Sequence, residues 1–279
     1  MNSLSYIVRL YSGTGNELFI YAFYRYLIIK HNLNVFLDIK SGILQSYGAN
    51  PEGTMLTLNK LCTKYKAAKD NFCFLGLIGK VNRFYHKRLF GGNFYFTEKN
   101  TNINLNKILK SNNRIKYLEG YFQNRIYADS IYKYLLEEIK PRKKKKYFED
   151  LKKKINFNKS LCIGFRDFGL KNNKEIKNLD KIVSKNIFKN KKIYIFTNNM
   201  DTLLKLSTKL NHTNCIEIKF NYKKDAIHAL DLMKNFKVFI IGSSTFHWWG
   251  AYLAKKPKKI YLTNKIHKPL QTKEMKLIF

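Results

Sequence analysis

The segment LSYIVRLYSGTGNELFIYAFYRYLIIKHNLNVFLDI, residues 4–39, spells out one complete structural unit. Leu4 to Leu10 alternates apolar and polar side chains, the period of a strand with one buried face. Ser12-Gly13-Thr14-Gly15-Asn16 breaks that strand as a glycine-rich turn. From Glu17 onward, Leu18, Ala22, Tyr26 and Ile29 recur at helical spacing, and Asn34 to Ile39 reads as a second strand. Strand, glycine turn, helix, strand opens a βαβ unit and puts the glycines at the C-terminal end of a strand. Glycine lets a ligand approach the backbone closely, and a helix N-terminus offers N–H groups to anions. Gly13, Gly15 and Asn16 are therefore candidate ligand contacts.

Outward from this unit, residues 42–112 offer only weak helices, with Gly91-Gly92-Asn93 as a tight turn. Order returns at Ile115 to Gly120, a short strand followed by a helix through Ile139. Pro141 and the run Arg142-Lys143-Lys144-Lys145-Lys146 end that part, the run reading as a solvated linker or helix face. We place a domain boundary there, giving domains 1–145 and 146–279. In the second half, strand candidates at Ser160–Phe165, Lys192–Thr197, Cys215–Phe220, Phe236–Ile241 and Lys259–Leu262 alternate with helical segments. The fold class is α/β: two Rossmann-like domains in series, expected to face one another across a cleft.

A chain of 279 residues, 45% hydrophobic and 15% aromatic, is long and apolar enough to bury a core, which excludes disorder. Its net charge of +34 would suit a nucleic-acid binder or a basic scaffold. Lysine supplies nearly all of it, scattered along the chain, and no nucleic-acid-reading motif accompanies it. No nucleic-acid partner is expected, whereas contact with an anionic membrane surface fits the charge. Cys62, Cys73, Cys162 and Cys215 form no CxxC pair and read as reduced core thiols. Met1-Asn2-Ser3 leads directly into strand-like sequence, so no signal peptide is expected. The most apolar stretch, Phe72 to Ile78, falls short of the ~20 residues a bilayer demands. The expected location is the cytoplasm, in peripheral contact with the inner membrane.

Two further constellations carry chemistry. Arg166 is the only arginine from Lys143 to the C-terminus, in a region otherwise full of lysine. A guanidinium kept at the end of a predicted strand suits planar, bidentate binding of phosphate, which lysine does not reproduce; a plain salt bridge is the alternative. In the stretch from Ile240 to Leu253, an apolar strand runs into Ser243, Ser244 and Thr245 and then Phe246-His247-Trp248-Trp249. The hydroxyls are placed to cap the helix and to donate to phosphate oxygens. Trp248 and Trp249 read as core packing, and His247 as a helix-surface histidine.

As a set, these segments resemble the α-1,2-fucosyltransferases of glycosyltransferase family 11. Gly13-Thr14-Gly15-Asn16-Glu17-Leu18-Phe19-Ile20-Tyr21-Ala22 is similar to that family's Gly-x-Gly-Asn-Gln-x-Phe-Gln-Tyr-Ala, with Glu17 where the family has glutamine. The Ile240–Leu253 stretch resembles Ile-Ile-Ala-Asn-Ser-Thr-Phe-Ser-Trp-Trp-Ala-Ala-Trp-Leu, with His247 in place of serine. Leu118-Glu119-Gly120-Tyr121-Phe122-Gln123 is similar to Leu-Glu-Gly-Tyr-Trp-Gln. Thr197-Asn198-Asn199 is similar to Ser-Asp-Asp with both acids turned to amides, and Asp231-Leu232-Met233 also fits. Where the family reads His-x-Arg-Arg-Gly-Asp-Tyr, this chain keeps only Arg166, then Asp167-Phe168.

The resemblance implies a GT-B fold and an inverting, metal-free transfer of fucose from GDP-fucose to O2 of a galactose-containing glycan acceptor. Implied donor-binding residues are Gly13, Gly15, Asn16, Arg166, Ser243, Ser244, Thr245 and Phe246. Implied catalytic residues are Arg166, Asp167 and Glu17. GDP-fucose enters as donor substrate, and no further cofactor is implied. No Asp-x-Asp occurs and the six histidines form no close pair, so no ligand set for a metal-bridged diphosphate is evident. The reduced arginine motif keeps another GDP-deoxysugar donor open.

Overall fold

A computed structural model of the chain describes residues 4–41, 57–63, 65–89, 93–99, 101, 103–167, 173–185, 190–210, 215–255 and 258–277. The expected turn at Gly91-Gly92 and the motif residue Phe168 lie outside them. The chain divides into two compact units, Met1–Ile139 and Lys140–Phe279. Lys145, assigned to the first domain by the sequence reading, pairs with Asp225 of the second unit.

In chain order the first unit holds β1 (Ser5–Arg9), α1 (Thr14–His31), β2 (Val35–Asp38), α2 (Gly76–Leu89), β3 (Tyr95–Thr97), α3 (Leu105–Lys110), β4 (Ile115–Glu119), α4 (Arg125–Ser130) and α5 (Tyr132–Glu138). Its sheet runs β2-β1-β4-β3, every pair parallel. Helix α1 is buried nearly all round, from Leu18 to Tyr24, as an apolar helix without a polar stripe must be. Asn32 ends it in the left-handed conformation (φ 51°), its N–H returning to the carbonyls of Ile28 and Leu27. The single helix expected up to Ile139 is instead α4 and α5. Ile131, at φ −128° and ψ 23°, leaves helical geometry while its side chain stays buried.

The second unit holds α6 (Lys146–Lys154), β5 (Ser160–Gly164), α7 (Asn173–Val183), β6 (Lys192–Phe196), α8 (Met200–Leu206), β7 (Cys215–Glu217), α9 (Ala226–Met233), β8 (Val238–Ile241), α10 (Thr245–Tyr252), β9 (Lys259–Leu262) and β10 (Met275–Leu277). The sheet order is β10-β9-β8-β5-β6-β7, again all parallel. The chain order reverses at β5, as it does in the doubly wound sheets that bind dinucleotides. Strands buried on both faces explain the near-continuous apolar runs Leu161–Ile163 and Val238–Ile241. Asp231 ties α9 to α6 through Lys152 (2.5 Å) and also takes Lys234 (2.8 Å). Buried Lys258 donates to the carbonyls of Ala251 (2.7 Å) and Ala254 (3.2 Å), neutralising the C-terminal end of α10.

The thiols are free, as expected, but only Cys162 is fully in the core; Cys62 is exposed and the other two are half-buried. Among the described residues no helix is long and apolar enough to cross a membrane.

Candidate active site at the ends of two parallel strands

In an open parallel sheet, a crevice forms where chain order reverses between neighbouring strands, and ligands bind at its carboxyl end. The second unit has this point between β5 and β8, where Gly164 lies in register with Ile241. Phe165-Arg166-Asp167 and Gly242-Ser243-Ser244 therefore leave the sheet side by side. The structure brings together the donor-site residues expected in this half.

Arg166 is half-buried, its guanidinium 5.3 Å from the centre of the Tyr222 ring. That distance is within the range of cation–π attraction and holds the planar group at the crevice. Burial pushes the Tyr222 hydroxyl well above the ordinary phenol range, partly offset by Arg166, so Tyr222 is neutral. Its hydroxyl lies 3.3 Å from His247 Nε2. Phe220 and Phe246 complete the cluster, with ring centres 4.4 and 5.4 Å from that of Tyr222.

His247 corrects the sequence reading. It is no surface residue: it is 0% exposed, and burial followed by the Arg166 charge lowers its pKa to about 3. A neutral imidazole occupies the space left by Gly164, where an added Cβ would come within 2.6 Å of His247 Cγ. Gly164 is thus required by close packing.

Ser243 is exposed, Thr245 half-buried, and Ser244 and Phe246 buried. Ser244 is the N-cap of α10 by position, but its side chain makes no capping hydrogen bond; its carbonyl receives the Trp248 N–H at 3.0 Å. Trp248 and Trp249 are core residues as expected, the indole N–H of Trp248 donating to Leu270 O at 2.9 Å.

Asp167 is fixed from the neighbouring β6 loop. Its N–H donates to Asn198 Oδ1 (2.8 Å), and Asn199 Nδ2 donates to Asp167 Oδ2 (3.0 Å). A carboxylate at position 199 would repel this one, which accounts for an amide there. Asn199 also caps α8 through the Thr202 N–H (3.0 Å).

The first unit repeats the topology, with its reversal between β1 and β4. Gly13 is the N-cap of α1, and a side chain there would meet nothing within 4 Å. Its freedom answers no packing demand, leaving room for an incoming group. Gly15 is buried in the first turn of α1. Asn16 donates to Ser12 Oγ (2.9 Å) and accepts from Gln123 Nε2 (2.9 Å), linking the loops after β1 and β4. Both loops carry a non-glycine residue in the left-handed region, Ser12 (φ 79°) and Phe122 (φ 51°). Such conformations cost free energy and gather at functional sites. Glu98 holds the second loop by accepting the N–H groups of Tyr121 (2.8 Å) and Phe122 (2.9 Å). Gly120 makes room for it, since a Cβ there would lie 2.5 Å from Glu98 Cβ.

Glu17 does not reach a surface. It is 1% exposed and accepts the Thr57 N–H at 2.9 Å. Burial pushes its carboxyl up to about 8, against the lowering pull of the Thr57 hydroxyl and N–H. At neutral pH it is therefore mainly protonated, one O–H donor beside an accepting carbonyl oxygen. The carboxyl expected among the catalytic groups is thus enclosed against the Thr57 backbone.

No protein-family model matches the sequence, and no curated protein matches it. Solved structures do. The chain is similar to fucosyltransferase NodZ from Bradyrhizobium at a TM-score of 0.54, with 11% identity over 90% of this chain and 94% of that one. It is also similar to NodZ α-1,6-fucosyltransferase co-crystallized with GDP, at a TM-score of 0.51 and 11% identity, covering 90% of this chain and 93% of that one. The same enzyme soaked with GDP-fucose gives a TM-score of 0.50 at 11% identity, with the same coverage. The fold is GT-B-like. At such identity the likeness speaks for architecture alone.

Tyr222 and Gly164, which pack against the candidate residue Arg166 and against His247, are not reached by sequence reasoning, and neither is the burial of His247. Nothing in a lone tyrosine or glycine marks it. The one available signal is a histidine inside the aromatic run Phe246 to Trp249 of a helix with few polar residues.

Proposed function

We propose that the chain is an inverting glycosyltransferase that moves fucose from GDP-fucose to O2 of a galactose residue in a surface glycan, as in the family 11 enzymes its motifs resemble. The observation that carries this reading is Arg166 and Ser243–Thr245 on adjacent strand ends at the reversal point of a doubly wound sheet. The similarity to NodZ, solved after soaking with GDP-fucose and after co-crystallization with GDP, supports the donor. The O2 linkage and the galactose acceptor rest on the motif resemblance.

In the proposed reaction, galactose O2 attacks fucose C1 while the bond from C1 to the GDP β-phosphate oxygen breaks. GDP leaves with the electron pair, and the O2 proton passes to a base or to water. Charge growing on the leaving diphosphate would be met by the Arg166 guanidinium, the Ser243 and Thr245 hydroxyls, and the N-terminus of α10. Asp167 is the candidate base, its carboxylate oriented by Asn199. The residues invoked supply this stabilisation without a metal ion. The proposed setting is the cytoplasmic face of an anionic membrane.

Titration calorimetry with GDP and GDP-fucose tests the reading. Binding is expected at micromolar or better affinity, and Arg166→Lys weakens it by about ten-fold or more with an unchanged melting temperature. Unaltered affinity in that variant rejects the role of Arg166. Competition among GDP-sugars decides between fucose and another deoxysugar, the second donor class that the single arginine leaves open. Oligonucleotide binding without GDP binding would instead establish a basic nucleic-acid binder.

A further inference from the structure

Helix α2 is built inside out. On a surface helix the apolar stripe normally faces the core and the polar face meets water. Among the described residues of α2, those turned toward the rest of the unit are Gly79, Arg83 and His86. Gly79 lies so close to Phe74 that a Cβ would meet its carbonyl carbon at 2.3 Å. Arg83 pairs with Glu119 at 2.5 Å, and the His86 ring lies 5.6 Å from those of Phe74 and Phe94. The outward side carries Ile78, Val81, Phe84, Tyr85 and Leu89, with Ile78 77%, Phe84 60% and Leu89 68% exposed. Those five stand among the twelve large apolar side chains exposed in the described residues, so nearly half of that exposure sits on one fourteen-residue helix. Lys80, Lys87 and Arg88, also exposed, border or punctuate the apolar arc.

We propose that α2 docks the protein on an anionic lipid bilayer, its apolar arc entering the interface and its basic residues meeting the headgroups. An amphipathic helix with exposed aromatic and aliphatic residues beside lysine and arginine has the chemistry of such a surface anchor. Charge selects the occupant. At +34 per chain, two copies repel one another, whereas an anionic bilayer attracts every copy. None of the donor-site residues named above lies in α2, so GDP binding and lipid binding can be read separately.

Co-sedimentation with vesicles of equal parts phosphatidylglycerol and phosphatidylcholine, against phosphatidylcholine alone, tests it. The wild type is expected to bind the anionic vesicles, more weakly at high salt. The triple variant Ile78→Gln, Phe84→Gln, Leu89→Gln should bind at least about ten-fold more weakly, with its melting temperature and GDP affinity unchanged. Neutralising Lys80, Lys87 and Arg88 to glutamine should weaken binding to the anionic vesicles and reduce its salt dependence. A Phe84→Trp reporter should shift its emission to the blue only when anionic vesicles are added. Three results would each overturn the proposal: wild-type protein that ignores those vesicles, a triple variant that binds them as well as wild type, or an emission from the Phe84→Trp reporter that the vesicles leave unmoved. So would self-association abolished by the triple variant without any vesicle binding.

Discussion

The two units place their glycine and hydroxyl motifs at the same topological point, a reversal between adjacent parallel strands, and use it differently. In the first unit the polar groups at the strand ends are spent on one another. Asn16 joins Ser12 to Gln123, Glu98 holds the Tyr121 and Phe122 amides, and Glu119 takes Arg9 at 2.7 Å and Arg83 at 2.5 Å. In the second, aromatic rings and a buried imidazole form the floor, while Ser243 stays exposed and Arg166 lies on Tyr222. The first loop pair is cross-linked into a frame, and the second carries the contacts proposed for the donor's diphosphate. The same topology thus carries a cross-linked polar frame in one unit and an aromatic floor beneath an exposed Ser243 in the other.

The largest effect that sharpens this contrast is expected at the floor of the second site. Gly164→Ala forces a methyl against the buried His247 ring and should cost about 3 kcal/mol, read by denaturant unfolding. Combining it with His247→Gly, which removes both the Cβ and the ring that the methyl would meet, should restore at least about 1 kcal/mol relative to the sum of the single changes. Strict additivity would break the account of why glycine stands there. Next comes Arg166→Ala, expected to lower GDP affinity by about 30-fold, some 2 kcal/mol, with little change in stability. Asn16→Ala in the frame should do the reverse, and equal losses of affinity from both would erase the distinction.

Glu17 yields the pH prediction. Its carboxyl is protonated in the folded protein up to about pH 8 and ionised in the unfolded chain above about 4.5. The folded state thus holds one more proton between those values, and stability falls as pH rises through that window. Glu17→Gln should remove this slope and raise stability by about 2 kcal/mol at pH 9, with little effect at pH 4, as melting curves across pH would read. A slope unchanged in the variant would mean that another group carries it. The smallest effect is expected from Gln123→Ala, which loses one half-buried hydrogen bond to Asn16 and should cost about 1 kcal/mol without altering GDP binding.

The long periodic segments are readable from the chain. β1, α1 and β2 fall where alternation and helical spacing put them, and so do β5, β6, β8 and β9. β3 and β10, three residues each, carry too few positions to show a period, and they add to sheet edges built by other strands. Arg166 stands out because a lysine-rich region has kept one guanidinium. His247 escapes a reading by letters because α10 is buried all round, so no face of it is a surface.

By itself, the sequence determined which segments alternate and which repeat at helical spacing, and where glycines and hydroxyls punctuate them. Those are local properties, set by side-chain type and spacing. Tertiary structure alone decided what the punctuating residues do. Strand order set Arg166 beside Ser243 across 77 positions of chain, and burial protonated Glu17 and stripped His247 of its charge. Proximity across the sheet and loss of solvent are properties of the packed chain, and no residue carries them in its own letter.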